Sequence, residues 1–98
     1  MPSYPAVPRD LALLVPLQRS VAEVTALLEQ RGGRHHLESV AVLDEFRAAT
    51  LPAWLRSVMI RLVFRAADRT LTDTEVEAAV GRLLTSLERE LDVILRST

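Results

Sequence analysis

Asp44 and Phe46 stand two residues apart, and Arg47 follows at once. An ionised carboxylate only accepts hydrogen bonds, so Asp44 suits a partner edge with N–H donors, such as that of guanine. A phenyl ring offers a flat face for stacking. Arginine presents a rigid fork that matches phosphate and carboxylate oxygens. Trp54, Arg56 and Ser57 come after a short loop, and Arg61 and Arg65 lie further along. Residues of these types could hold a planar, partly anionic ligand. They also have plainer uses. Phe46 would pack under the loop, Asp44 would cap a turn and Trp54 would cover a loop core. Each arginine would be ordinary edge charge paired with Glu38, Asp44 or Glu45. Residue type and spacing alone leave both readings open.

Composition removes other chemistries. The chain has 98 residues, 12 basic and 13 acidic, for a formal net charge of −1. That length predicts one domain over 1–98, with the Pro-rich residues 1–8 as an extended lead-in. Without cysteine there are no disulfides or thiolate metal sites. His35 and His36 are adjacent and cannot by themselves build a metal site. No Ser–His–acid set and no Gly-rich phosphate loop occurs, so no catalytic residue, metal or cofactor is expected. The near-neutral charge argues against strong nonspecific binding to nucleic acid but leaves room for a local patch. Every basic residue is arginine. This fits a GC-rich coding sequence as well as selection for guanidinium forks. No apolar run approaches the ~20 residues of a membrane-spanning helix. The start, Met1-Pro2-Ser3-Tyr4-Pro5, lacks the regions of a signal peptide.

The elements that would position these residues can be read from periodicity and caps. Arg9 to Pro16 is a short apolar run bounded by prolines, which predicts a buried strand. Ser20-Val21-Ala22-Glu23 is a capping box, and Val21, Val24, Leu27 and Leu28 share one helical face. A helix is predicted from about 21 to 31, stopped by Gly32-Gly33 as a left-handed cap. Leu37 to Phe46 predicts the second strand. Simple alternation puts Val40, Val42, Asp44 and Phe46 on one side, and the apolar pair Val42-Leu43 signals a bulge. From Ser57 to Arg65 the alternation is regular, with Val58, Ile60, Leu62 and Phe64 facing a core. Thr72 with Glu75 is a second capping box, with Leu71 and Val76 as a hydrophobic staple. Val76, Ala79, Val80, Leu83, Leu84 and Leu87 then form a helical stripe. Leu91 to Arg96 predicts a last short strand.

The order β-α-β-β-α-β, with right-handed crossovers, predicts a ferredoxin-like α+β sandwich. Its four-stranded antiparallel sheet would carry both helices on one face and leave the other open.

Three stretches in this order resemble the C-terminal ferredoxin-fold anticodon-binding domain of the phenylalanyl-tRNA synthetase beta subunit. They are Arg9-Asp10-Leu11-Ala12, then Leu37-Glu38-Ser39-Val40 through Leu43-Asp44-Glu45-Phe46, then Phe64-Arg65-Ala66-Ala67-Asp68-Arg69-Thr70-Leu71-Thr72-Asp73. The resemblance spans about Tyr4 to Arg96. It implies a non-catalytic cytoplasmic module that binds the anticodon stem-loop of phenylalanine tRNA. The rest of a synthetase would be its partner, and no membrane or cofactor would be involved. It also implies that Asp44, Phe46 and Ser57 meet the anticodon. Arg47, Trp54, Arg56 and Arg61, on the neighbouring loop and strand, complete the candidate set. Phe46 stands where the family commonly has Tyr, and Ala48 where it usually has Gly. Pro52-Ala53-Trp54-Leu55 replaces a Pro-Glu-Gly loop, and Glu45 takes a usually apolar place. A protein-interaction module of the same fold, without RNA recognition, is the alternative, favoured by Trp54, the altered loop and the low net charge.

Overall fold

β1 (Val7–Pro16) occupies the middle of the sheet, and it carries a proline at each end of its pairing with β3 (Leu55–Phe64). The computed structural model of the chain describes residues 4–97. In chain order β1 is followed by α1 (Val21–Gly32), a 3-10 turn over Gly33–His35, β2 (Leu37–Phe46), β3, α2 (Asp73–Leu91) and β4 (Ile94–Ser97). The sheet order is β2-β3-β1-β4, with every neighbouring pair antiparallel. This is the predicted ferredoxin-like α+β architecture. β1 begins at Val7, so part of the predicted lead-in is strand; residues 1–3 lie outside the described residues. Pro8 and Pro16 fit because β4 pairs only with residues 12–14 of β1. No second ladder asks for an N–H at either proline.

Regular alternation makes one face of the central strands the core. Leu11, Leu13 and Val15 of β1 and Val58, Ile60, Leu62 and Phe64 of β3 are all buried. Val24, Leu27 and Leu28 of α1 and Val76, Ala79, Val80, Leu83 and Leu87 of α2 close over them. The helices start where the caps predict. Ser20 Oγ accepts the Glu23 N–H at 3.1 Å, and the Glu23 carboxylate accepts the Ser20 N–H at 2.6 Å. Thr72 makes only half of its box: its Oγ1 accepts the Glu75 N–H at 3.1 Å, but the Glu75 carboxylate pairs with Arg69 at 2.9 Å. Arg69 also holds Asp68, so the Asp68-Arg69 turn is fixed by ion pairs. Leu71 and Val76 both join the core, as a staple requires.

Two expectations fail, both at helix ends. Neither Gly32 nor Gly33 takes a left-handed conformation; that role falls to His36, with φ 66°. Gly32 is buried, and a Cβ there would stand 2.7 Å from Leu37 Cβ. The glycine is a close-approach position, where β2 sets out across the end of α1. At the other end, α2 runs through Leu91 and the left-handed residue is Asp92, whose N–H reaches Glu88 O at 3.2 Å. The last strand therefore starts at Ile94 rather than Leu91.

Candidate nucleic-acid interface

β2 is an edge strand with two register shifts against β3, one between Leu37 and Ser39 and one between Val42 and Asp44. The second decides what the sheet displays. Val42 pairs with Ile60, whose side chain is buried under the helices. Past the shift, Asp44 pairs with Met59, Glu45 with Val58 and Phe46 with Ser57. Met59 and Ser57 alternate with the core residues of β3, so they look away from the helices. Asp44 and Phe46 are thereby carried onto the open face, separated from Val40 and Val42, with which unbroken alternation would group them. Glu45 is turned to the helix side.

Pairing across the sheet arranges the open face in rows. Phe46, Ser57, Leu14 and Ile94 form one; Asp44, Met59 and Ala12 form the next; Ala41, Arg61 and Asp10 form a third. Ser57 and Ala12, both small and buried, are the low points of these rows, and Leu14 and Met59 beside them are half-buried. Phe46 remains 40% exposed, enough for its ring to meet a ligand. Asp44 is exposed, and its Oδ1 accepts the Glu45 N–H at 2.8 Å. Its other oxygen accepts from no group among the described residues. Arg61 grips Asp10 in a bidentate pair, Nε to Oδ1 at 2.7 Å and Nη2 to Oδ2 at 2.9 Å. The hydrogen bonds from Arg61 hold the Asp10 carboxyl below its ordinary range, against a smaller opposing effect of desolvation. These two residues, with Pro8 and Arg9, line a shallow groove of about 330 Å³ that continues the face.

The remaining sequence candidates separate. Arg47 closes the loop by donating to Ala53 O at 2.8 Å. Trp54 is 65% exposed at the loop's end, and its carbonyl accepts the Leu17 N–H at 2.9 Å. Arg56 does not reach the open face. It shares the side of Val58, is buried, and donates to Pro16 O at 3.1 Å and Arg19 O at 2.6 Å. Its Nε lies 3.2 Å from Glu45 Oε1 but off the line of a hydrogen bond. The charge of Glu45 on the helix side is thus matched by Arg56, and Arg56 ties the β1–α1 connection to the start of β3. Arg65 pairs with Glu38 and donates to Tyr4 O, as ordinary edge charge does.

One residue of the face was missed. The Arg96 guanidinium carbon lies 6.0 Å from the Phe46 ring centroid. Nothing in local spacing links them, because they come from opposite edges of the sheet. Among the described residues no cluster of three or more metal-ligating side chains occurs. No helix among them is long and apolar enough to cross a membrane.

The chain is similar in sequence to known proteins over nearly its whole length. The chain is 46% identical over 94 residues to the phenylalanine–tRNA ligase beta subunit of Synechococcus sp., covering 96% of this chain and 11% of that protein. It is 45% identical to the same subunit of Synechocystis sp., covering 96% of this chain and 12% of the relative. For Moorella thermoacetica the identity is 40%, with 98% and 12% covered. The chain thus spans about an eighth of the length of these relatives. The family model of the ferredoxin-fold anticodon binding domain matches residues 2–96, and the chain belongs to that family.

Proposed function

We propose that the open sheet face binds the anticodon loop of phenylalanine tRNA, with Phe46 as a stacking platform and Asp44 as a base-edge acceptor. The observation that carries this reading is the register shift between Val42 and Asp44, which brings both side chains to the open face beside Ser57. Unpaired bases are read by aromatic stacking and by hydrogen bonds to their edges. A carboxylate oxygen without a partner beside an exposed ring offers both. Arg61 and Arg47 stand near enough to this face and its loop to meet phosphates, Arg61 by exchanging Asp10 for one. Trp54 extends the aromatic surface at the loop. In this reading the chain supplies tRNA recognition to a cytoplasmic phenylalanyl-tRNA synthetase, and the remainder of that enzyme is its other partner.

The test is a titration of the chain at low salt with the anticodon stem-loop of phenylalanine tRNA and with a scrambled loop. The expected result is tighter binding of the true loop. Phe46→Ala should weaken it by about 1–3 kcal/mol, the range for one stacked base. Asp44→Asn turns one acceptor into a donor and should change which base is preferred more than the overall affinity. Equal binding of both loops, unmoved by either substitution, overturns the reading. A second reading rests on Trp54 and Leu17, bonded through their backbones and exposed by 65% and 41%. Apolar side chains so placed suit a protein partner, and equal loop binding would leave that reading standing.

A further inference from the structure

Arg96 is the extra residue of β4. Leu95 pairs with Leu13 and Ser97 with Ala12, and the register shift between them leaves Arg96 opposite no residue of β1. An unpaired bulge position is released from strict alternation. The Arg96 side chain uses that freedom to reach Phe46, on the far edge of the sheet. It is exposed, and among the described residues it pairs with no carboxylate. Seven other arginines do, Arg9, Arg19, Arg31, Arg56, Arg61, Arg65 and Arg69, whereas Arg34, Arg47, Arg82 and Arg89 share this lack among the described residues. A guanidinium over a phenyl face is held by the ring's quadrupole, weakly at an exposed site. It is therefore both positioned and easily displaced.

We infer that Arg96 is the second jaw of a base clamp. An unpaired base enters between the Phe46 ring and the Arg96 guanidinium, stacking on the ring below and under the planar cation above. This rests on the reading that the open face binds RNA. The supporting geometry is the placement of two flat groups together on the open face, the Arg96 guanidinium carbon standing over the Phe46 ring at 6.0 Å from its centroid. Guanidinium planes stack on bases as aromatic rings do. The stem of arginine is long and flexible enough to lift the cation by the thickness of a base while keeping it over the ring. A lysine at the same place would keep the charge and lose the plane.

The experiment uses the chain with the phenylalanine anticodon stem-loop carrying 2-aminopurine at one loop position at a time, read by affinity and by fluorescence quenching. Arg96→Lys and Arg96→Ala should each weaken binding by about tenfold, within the range of one lost stack. Both should relieve quenching at the same loop position that Phe46→Ala relieves. The salt dependence of Arg96→Lys should match wild type. Full retention of affinity and quenching by Arg96→Lys, with a salt slope lowered by about 0.7 in Arg96→Ala alone, would mean a phosphate contact and overturn the clamp. Wild-type affinity in Arg96→Ala would also overturn it. If Phe46→Ala still weakens binding in either case, the RNA reading survives. Absence of wild-type binding overturns both.

Discussion

The chain has two phenylalanines, and they stand on opposite faces of one sheet. Phe64 is fully buried between β3 and the helices, while Phe46, on the edge strand β2, keeps 40% of its surface exposed. The same side chain therefore serves two ends. On the helix-covered face the ring removes apolar surface from water and fills volume. On the open face it is left where stability gains little, and exposed aromatic surface is available to a ligand. The polar residues follow the same division. Arg56 is buried on the helix side and bonded to carbonyls of the β1–α1 connection. Arg61, five residues on and of opposite parity, holds a half-exposed pair with Asp10 on the open face. One strand thus faces two solvents, and alternate residues answer to different demands.

The largest expected effect breaks the covered face. Phe64→Ala should cost about 3–5 kcal/mol, from lost transfer energy and the cavity left behind. That is a large part of the roughly 5–15 kcal/mol holding a small domain together. Denaturant unfolding reads it directly. The same substitution at Phe46 should cost under about 1 kcal/mol, as expected for a surface position. A comparable loss at both positions would show that the open face is as much core as the covered one.

Arg56→Ala comes next. It removes charged donors from two backbone carbonyls and the counter-charge from Glu45. A hydrogen bond to a charged group contributes about 1.5–3 kcal/mol, so a loss of at least that order is expected in the unfolding free energy. Arg56→Lys should recover part of it at most, because one ammonium cannot hold both carbonyls in a fork. A variant with unchanged stability but weaker RNA binding would place Arg56 on the ligand after all.

Legibility in the sequence follows the range of the interactions. β3 alternates without interruption because both of its neighbours pair with it along most of its length, and its face is plain from Val58 to Phe64. The caps at Ser20 and Thr72 are local chemistry and are visible within four residues. The bulge in β2 leaves a trace in the pair Val42-Leu43, but its consequence for Asp44 and Phe46 emerges only from pairing with β3. Gly32 looks like a helix stop, yet its reason is Leu37, which returns across the helix end. Arg56 looks like a partner for phosphate until the carbonyls of Pro16 and Arg19 are brought beside it from β1. Arg96 carries no signal at all, since only closure of the sheet in the order β2-β3-β1-β4 brings it over Phe46. The site is thus less legible than the core, because its members are assembled across strands rather than along them.

The smallest expected effect sharpens the open face. Arg61→Ala should leave neutral-pH stability almost unchanged, since exposed ion pairs contribute little and are screened by salt. Its signature is in titration. Hydrogen bonding to Arg61 lowers the Asp10 carboxyl below its ordinary value of 3.8. A depressed folded-state value means that the unfolded chain binds the proton more readily in that window. The pair's contribution is therefore present above about 3.8, the unfolded value, and is lost as pH falls through the folded one. In Arg61→Ala the Asp10 carboxyl, followed by carbon-detected NMR, should titrate closer to its ordinary value, and this part of the acid dependence should disappear. If Arg61 also exchanges Asp10 for a phosphate when RNA binds, the Asp10 carboxyl in the wild-type complex should move upward in the same way. A titration unmoved by saturating stem-loop would keep Arg61 paired to Asp10 and leave the phosphate role on this face to other cations.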